Sequence, residues 1–230
     1  QLAEKVSQRV VTAAADSFPF KTPKLRVLGH GIDTDIFAPA PDAPPVTEFI
    51  VTHVARLMPI KHQETLIRAA AAVPEMRVVF VGDIPPQTDA GYRDQLDQLA
   101  ARLGVTDRIT FAGKTDAIGV RDAFRRSALA VNLSPPGLFD KAALESMAIG
   151  VPTVVSSRAF QPILKQYTAD LTIPTPEDHA ALALRLAALM RKSPEARQTI
   201  GRELRARVIE SHNLDGLITR LTHVLLKGEP

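Results

Sequence analysis

Short apolar runs and amphipathic stretches alternate along most of this 230-residue chain. Six apolar runs are rich in β-branched residues and predict buried strands, namely Leu25–Leu28, Phe49–Val54, Arg77–Val81, Ile109–Phe111, Leu129–Leu133 and Thr153–Val155. Their near-continuous apolar character is typical of a parallel sheet that is covered on both faces. Between them, apolar residues recur at helical spacing, as at Leu66, Ala70 and Val73. The alternation predicts a doubly wound α/β sheet, in which ligands bind beyond the carboxyl ends of the strands.

Composition and charge exclude several classes of protein. The chain contains no Cys, which excludes a disulfide framework, a thiolate zinc site and a cysteine nucleophile. No apolar run approaches the roughly 20 residues that a membrane-spanning helix needs. The net charge of +3 is spread along the chain and argues weakly for nucleic acid as a partner. With no signal-peptide pattern after Gln1, we expect a cytoplasmic protein, free or held at a membrane surface, that binds no nucleic acid.

A loop with two cations follows the predicted strand Phe49–Val54. Arg56 and Lys61 stand five residues apart, next to the start of a predicted helix. The N-terminus of that helix adds unpaired N–H groups and the positive end of the helix dipole. Together these groups suit an anion, and a diphosphate in particular. Taken alone, the loop favours the alternative of two solvated cations.

A second loop joins the strand Leu129–Leu133 to a predicted helix, Lys141–Ile149, which ends at Gly150. The first-turn amides of this helix, near Asp140, offer another place for a phosphate. Glu145 lies more than one turn into the otherwise apolar helix, where its carboxylate could accept hydrogen bonds from ribose hydroxyls. An exposed helix glutamate without a ligand is the alternative interpretation.

Three segments in this order resemble the donor-binding, C-terminal domain of retaining GT-B glycosyltransferases of the family 4, or group 1, class. They are His30-Gly31-Ile32-Asp33 with Phe37-Ala38-Pro39, then Arg56–Lys61, then Glu145–Val155. The likeness extends from about Lys24 to about Leu226. It implies a Rossmann-like domain that forms one half of a GT-B fold. It also implies a nucleotide-diphosphate sugar as donor, such as a UDP-, GDP- or ADP-sugar, and no separate cofactor.

The resemblance implies roles for individual residues. Arg56 and Lys61 match the basic pair that grips the donor diphosphate. Glu145 matches the second Glu of a Glu-x7-Glu motif, which holds the nucleotide ribose. Asp140, Lys141, Ala142 and Ala143 match the helix N-terminus that faces the phosphates. Gly113 and Lys114 match the segment that lies along the base. Gly82 matches a glycine that lines the cleft.

Gly137 departs from the motif. It stands where the family has the first Glu, which contacts the transferred sugar. The departure predicts an intact diphosphate site and a non-standard sugar site. Asp140 and Lys141 lie on the adjoining turn and are the candidates to replace that contact.

The predicted function is retaining transfer of a sugar to an acceptor hydroxyl. Arg56 and Lys61 would neutralise the departing diphosphate without a metal. The acceptor, a saccharide or a lipid-linked molecule, is expected on an N-terminal domain outside this chain, so the chain alone is expected to be inactive. We expect a linker and remnant of that domain in residues 1–23, the nucleotide-sugar-binding domain in 24–193 and C-terminal helices in 194–230.

Two other functions remain open on sequence grounds. The first is an inactive nucleotide-sugar-binding or regulatory module, in which Gly137 marks the loss of activity. The second is a dinucleotide-dependent oxidoreductase, which the fold allows. The second is disfavoured because no Gly-x-Gly-x-x-Gly follows any predicted strand.

Three further signals each have two interpretations. Asp33-Thr34-Asp35 imitates a metal-binding Asp-x-Asp motif, but a turn is favoured and no metal is predicted. His53 alternates within a strand and is interpreted as a core histidine with satisfied hydrogen bonds, and no histidine has a convincing acid–base partner. The Arg-rich stretch 194–212 predicts either a membrane-surface helix or, as favoured by its mixed charges, a solvated helix.

Overall fold

The computed structural model describes residues 5–41, 46, 48–86 and 91–227. The strands are β1 Val10–Thr12, β2 Leu25–Val27, β3 Ile50–Val54, β4 Arg77–Val81, β5 Ile109–Phe111, β6 Leu129–Asn132 and β7 Thr153–Val155. The central sheet has five parallel strands in the order β5-β4-β3-β6-β7. The prediction of a parallel α/β sheet is confirmed.

Helices follow the strands and cover both faces of the sheet. They are α1 Gln63–Ala71, α2 Tyr92–Arg102, α3 Ala117–Arg125, α4 Lys141–Ile149, α5 Gln161–Leu164, α6 Thr168–Leu171, α7 His179–Met190, α8 Pro194–His212 and α9 Leu214–Lys227. Helices α1 and α2 contact each other on one face of the sheet, where α7 packs against α1. Helices α3 and α4 contact each other on the other face, where α8 packs against α4. The strands are therefore buried on both sides, which explains their continuous apolar runs.

The chain changes direction across the sheet beside β3. It builds β4 and β5 on one side of β3 and then places β6 and β7 on the other. The carboxyl ends of β3 and β6 consequently lie next to each other, and a doubly wound sheet binds its ligands at such a point. Both loops that the sequence singles out begin there, residues 55–61 after β3 and residues 133–140 after β6.

The run Leu25–Leu28 does not join the central sheet, so the prediction of a buried strand there is wrong. β2 pairs in parallel with β1 in a separate two-stranded sheet, and none of its residues is fully buried. An apolar run indicates that a strand forms but does not indicate which strand it will pair with. The pairing joins residues on both sides of the boundary predicted after residue 23. The outer ends of the predicted terminal segments, residues 1–4 and 228–230, lie outside the described residues.

Helix α8 packs into the protein, so the favoured interpretation of a solvated helix is wrong for one of its faces. Leu204 and Val208 are fully buried, and α8 packs against α4. Its arginines donate hydrogen bonds to main-chain carbonyls at the ends of other helices, Arg197 to Leu189 and Met190, Arg205 to Ala148, and Arg207 to Ile163 and Leu164. A charge pattern does not reveal that use of arginine. Within the described residues, no helix combines the length and the hydropathy needed to cross a membrane.

Replacing Arg205 with Met should destabilise the protein, because the carbonyls of Phe37 and Ala148 would lose their donor. We expect the free energy of unfolding to fall by about 1–3 kcal/mol in urea denaturation. Arg202→Met, on the exposed side of the same helix, is the matched control and should change it by less than about 0.5 kcal/mol. Equal losses in the two variants would show that Arg205 acts only as a surface charge.

Candidate functional site

A cleft of about 390 Å³ opens at the carboxyl ends of the central strands. Eight of the ten site residues predicted from sequence line it, namely Arg56, Lys61, Gly82, Lys114, Asp140, Lys141, Ala142 and Glu145. The other two do not. Ala143 is buried in the core, and the carbonyl of Gly113 accepts a hydrogen bond from the N–H of Gly82 at 2.9 Å. The structure thus brings most of the predicted residues together, while their roles stay predictions.

Lys61 and Asp140 form an ion pair between the loops that follow β3 and β6. Lys61 Nζ lies 2.6 Å from Asp140 Oδ2. The same carboxylate oxygen accepts hydrogen bonds from Ser134 Oγ and, at 3.2 Å, from Asn132 Nδ2. Burial opposes ionisation of Asp140, but the hydrogen bonds from Lys61 and Ser134 outweigh it and hold the pKa of this carboxyl below its usual value. Ser134 and Asn132 escape motif-based prediction, although a polar Asn132 within an apolar strand is a signal for such a network.

Asp140 is the N-cap residue of α4 but does not cap the helix. An N-cap carboxylate usually accepts a hydrogen bond from an N–H group of the first helical turn. The side chain of Asp140 accepts none, because it is turned toward Lys61. Since Lys141 and Ala142 line the cleft, the N-terminus of α4 opens onto it with donors that Asp140 leaves unused.

Four of the six charged side chains in the cleft have no hydrogen-bond or ion-pair partner within the described chain, namely Arg56, Lys114, Lys141 and Glu145. Arg56 is exposed, and Glu145 is partly buried. Burial raises the pKa of the Glu145 carboxyl, and the charge of Lys141 opposes part of that effect. Four cations, Arg56, Lys61, Lys114 and Lys141, face two carboxylates, Asp140 and Glu145, so the lining carries an excess of two positive charges. An anion with hydroxyl groups to donate would satisfy both kinds of unused group.

The turn after β4 holds the Arg56 loop against the sheet. Gly82 has a φ of +141°, and a Cβ at this position would overlap the carbonyl oxygen of Ala55. The N–H of Leu57 donates to the carbonyl of Asp83 at 3.0 Å. Glycine is therefore required at position 82 so that the two loops can approach and Arg56 can lie at the cleft.

Gly137 lies in a left-handed turn that packs against the N-terminal segment. Its φ is +82°, and a Cβ there would lie 2.7 Å from the carbonyl oxygen of Asp16. Ser17 Oγ donates a hydrogen bond to the Gly137 carbonyl at 2.6 Å. A glutamate at this position would be strained and crowded. Asp140 lines the cleft instead, and the hydrogen bonds described for its carboxylate all go to Oδ2, which leaves Oδ1 for a ligand.

Comparison with known proteins decides the family. The model of the family described as "Glycosyl transferases group 1" matches residues 37–207. The chain belongs to this family. The resemblance that the sequence motifs indicate is confirmed, and the alternative of a dinucleotide-dependent oxidoreductase is wrong.

The chain is also similar to individual proteins and solved structures. A D-inositol 3-phosphate glycosyltransferase from Mycolicibacterium smegmatis is 26% identical over 209 residues, which cover 88% of this chain and 48% of the relative. The crystal structure of HepE from Anabaena in complex with UDP and glucose has a TM-score of 0.86 at 20% identity, over 98% of this chain and 65% of that chain. The C-terminal domain of LpcC, a group 1 protein from Francisella tularensis, has a TM-score of 0.69 at 21% identity, over 80% of this chain and 100% of that chain. The chain spans about half the length of the curated relatives it matches.

Two histidines of this group 1 domain near the loops do not line the cleft. His30 Nε2 lies 2.5 Å from the carbonyl oxygen of Phe139, and the two rings stack. His62 lies between the carboxylates of Glu64 and Glu177, at 3.6 and 3.5 Å. Neither ring is placed to act on a ligand in the cleft.

His53 is buried, but the prediction of satisfied hydrogen bonds is wrong. Neither ring nitrogen has a hydrogen-bond partner in the described part of the chain. Burial and, as a smaller cause, the charge of Lys61 together lower the pKa of His53 to about 3. The alternating strand pattern correctly places the ring inside, but a pattern does not show whether a donor or acceptor will be there to meet it.

Asp33 forms the predicted turn. Its Oδ1 accepts hydrogen bonds from the N–H groups of Asp35 and Ile36, at 3.2 and 3.0 Å. The described residues of this group 1 domain contain no group of three or more His, Asp or Glu side chains that could hold a metal ion.

Protonation of His53 should destabilise the protein at acidic pH. The pKa is about 3 in the folded chain and 6.5 in the usual case, so the unfolded state takes up the proton first. Stability should therefore fall as the pH drops from about 6.5 toward 3, by about 1.4 kcal/mol per pH unit from this one group. His53→Leu should remove this contribution to the change of the free energy of unfolding with pH. Urea denaturation between pH 7 and pH 4.5 measures it.

His223→Leu, at an exposed position of α9, is the control and should leave the slope as it is. A pH dependence that His53→Leu does not change would show that another group is responsible.

Proposed function

We propose that this group 1 domain binds the diphosphate of a nucleotide-sugar donor in the cleft. The observation that carries the proposal is the N-terminus of α4, which Asp140 leaves uncapped beside the exposed Arg56. Main-chain amides at a helix N-terminus together with an arginine are well suited to phosphate oxygens. Lys61 is already paired with Asp140, so Arg56 supplies more of the uncompensated charge. The cleft volume lies within the range of about 300–1,000 Å³ that is common for small-molecule sites.

Glu145 is proposed to accept hydrogen bonds from the ribose hydroxyls. Its carboxylate is partly buried and has no donor within the described chain, and burial alone raises its pKa. Two hydroxyl donors would satisfy it and favour the charged form. Lys114 lines the cleft and is proposed to lie beside the base.

Asp140 is proposed to contact the transferred sugar in place of the missing glutamate. Its Oδ2 is held by three neighbours, and its Oδ1 is available in the cleft. Lys141 is the other side chain on this turn that lines the cleft. Gly137 itself offers no side chain, and its backbone is turned toward the N-terminal segment.

The proposed chemistry is stabilisation of a leaving group, without a metal ion. The bond between the anomeric carbon and the diphosphate oxygen breaks, while the acceptor oxygen bonds to that carbon on the same face, so that configuration is retained. The acceptor proton passes to the departing diphosphate oxygen. Arg56, Lys61 and the amides of α4 stabilise the charge that develops there.

The acceptor is proposed to bind a domain outside this chain. The chain spans about half of its curated relatives, and it contains a donor cleft but no candidate acid–base pair within the described residues of that cleft. The solved HepE complex holds UDP and glucose, which favours UDP as the nucleotide to test first. A saccharide or a lipid-linked hydroxyl is the acceptor class to test with the longer protein.

Isothermal titration calorimetry with UDP, GDP and ADP tests the donor site. We expect UDP to bind the 230-residue chain and Arg56→Ala to weaken its affinity about tenfold or more, since an uncompensated cation is lost. Lys61→Ala and Glu145→Ala should also weaken binding. Arg202→Ala, at an exposed position of α8 that does not line the cleft, should bind UDP as the parent does.

The donor site is wrongly placed if none of the three nucleotides binds, or if Arg56→Ala binds as tightly as the parent. A nucleotide-binding module without transfer is the second candidate function, and Gly137 favours it. Turnover of the donor sugar by the longer protein separates the two functions, because a binding module would hold the donor and leave it intact.

A further inference from the structure

A fully buried polar side chain lies directly behind the Arg56 loop. Gln63, in the first turn of α1, has a relative exposure of 0%. Its Nε2 donates a hydrogen bond to the carbonyl oxygen of Arg56 at 2.9 Å. Gln63 does not line the cleft, so it would not touch a ligand that binds there.

The carbonyl of Arg56 sets the direction of the Gln63 amide, and Tyr92 supports it from the other end. The Tyr92 hydroxyl lies 3.1 Å from Gln63 Oε1 and 2.9 Å from Glu64 Oε2, and these two acceptors share its single proton. If the amide were reversed, its oxygen would face the carbonyl of Arg56, and two acceptors would meet. Burial raises the pKa of the Tyr92 phenol, and the charge of Glu64 raises it further, so the hydroxyl keeps its proton. The donor of Gln63 is therefore directed at Arg56.

The hydrogen bond from Gln63 completes the anchoring of this loop. On either side of Arg56, the N–H of Ala55 donates to Val81 and the N–H of Leu57 donates to Asp83, both at 3.0 Å. Without Gln63, the carbonyl of Arg56 would lose its hydrogen-bond donor and would point into the buried space that the Gln63 side chain fills. The peptide group after Arg56 would then be held only through its neighbours Ala55 and Leu57, and turning its carbonyl toward water would be favoured.

We propose that Gln63 is a positioning residue for Arg56, supported by Tyr92, and that it strengthens donor binding without touching the donor. Three hydrogen bonds hold the backbone of residues 55–57. Such a loop loses less conformational freedom when its arginine binds a phosphate. This inference rests on the proposed function, because it takes Arg56 to be the residue that grips the donor.

Gln63→Leu and Tyr92→Phe test the proposal by calorimetry with UDP. Gln63→Leu removes the donor and keeps a similar shape, and it should weaken UDP binding by about five- to tenfold. Tyr92→Phe leaves the amide in place without its supporting hydroxyl and should weaken binding by about two- to threefold. Tyr92→Phe also serves as the milder variant should Gln63→Leu fold poorly.

Thr52→Val is the matched control for lost stability. Thr52 is a buried residue of β3 whose hydroxyl bonds to Ser127 Oγ at 2.6 Å, and it does not line the cleft. All three variants should be less stable in urea, but Thr52→Val should keep the affinity of the parent for UDP. A similar loss of affinity in Thr52→Val would overturn the positioning role.

A double-mutant cycle with Arg56→Ala separates this role from a general structural one. In the Arg56→Ala background, Gln63→Leu should not weaken UDP binding further, because the side chain that it positions is gone. Equal losses in both backgrounds would overturn the proposal. If UDP binds, and Arg56→Ala weakens the binding while Gln63→Leu leaves it unchanged, only the positioning role fails and the proposed function stands. If Arg56→Ala leaves UDP binding unchanged, the proposed function fails and this inference fails with it.

Discussion

Lys61 and Asp140 stand 79 residues apart in the sequence, and their ion pair joins the loops that follow β3 and β6. The Asp140 carboxylate accepts a hydrogen bond from Lys61 and none from the first-turn N–H groups of its own helix, so these N–H groups of α4 stay available to the cleft. Removing either partner would leave a charge half-buried and uncompensated, which is costly in a protein interior. The chemistry that the cleft can offer an anion therefore depends on a contact in which the anion takes no part.

Several arginines of this chain hold the fold together, and Arg56 differs from them. Arg108, Arg197, Arg205 and Arg207 direct their guanidinium groups at main-chain carbonyls, several of them where helices end. Arg56 contacts no carboxylate or carbonyl through its side chain within the described residues and lies exposed at the cleft. A count of positive residues gives no hint of this difference. The small net charge of +3 therefore does not show that the lining of the cleft carries an excess of positive charge.

Features that depend on neighbouring residues could be predicted from the sequence. Apolar periodicity places β4, β5 and β7 at their observed bounds and predicts α4 as Lys141–Ile149. The order of the motifs predicts most of the cleft lining. Contacts between remote residues could not be predicted in this way, because they depend on strand order and on the direction of each side chain. The pairing of β2 with β1, the Lys61–Asp140 ion pair and the Gln63–Tyr92 contact are of this kind.

The contact between Ser17 and Gly137 bears on where this chain can be shortened. A domain boundary drawn after residue 23 would remove Ser17 together with β1, the strand that pairs with β2. The loop that leads into α4 would then lose the segment on which Gly137 rests. A protein trimmed to residue 24 would keep every residue of the cleft, but the loop beside the cleft would lose this support. Recombinant versions of this domain should therefore begin upstream of β1.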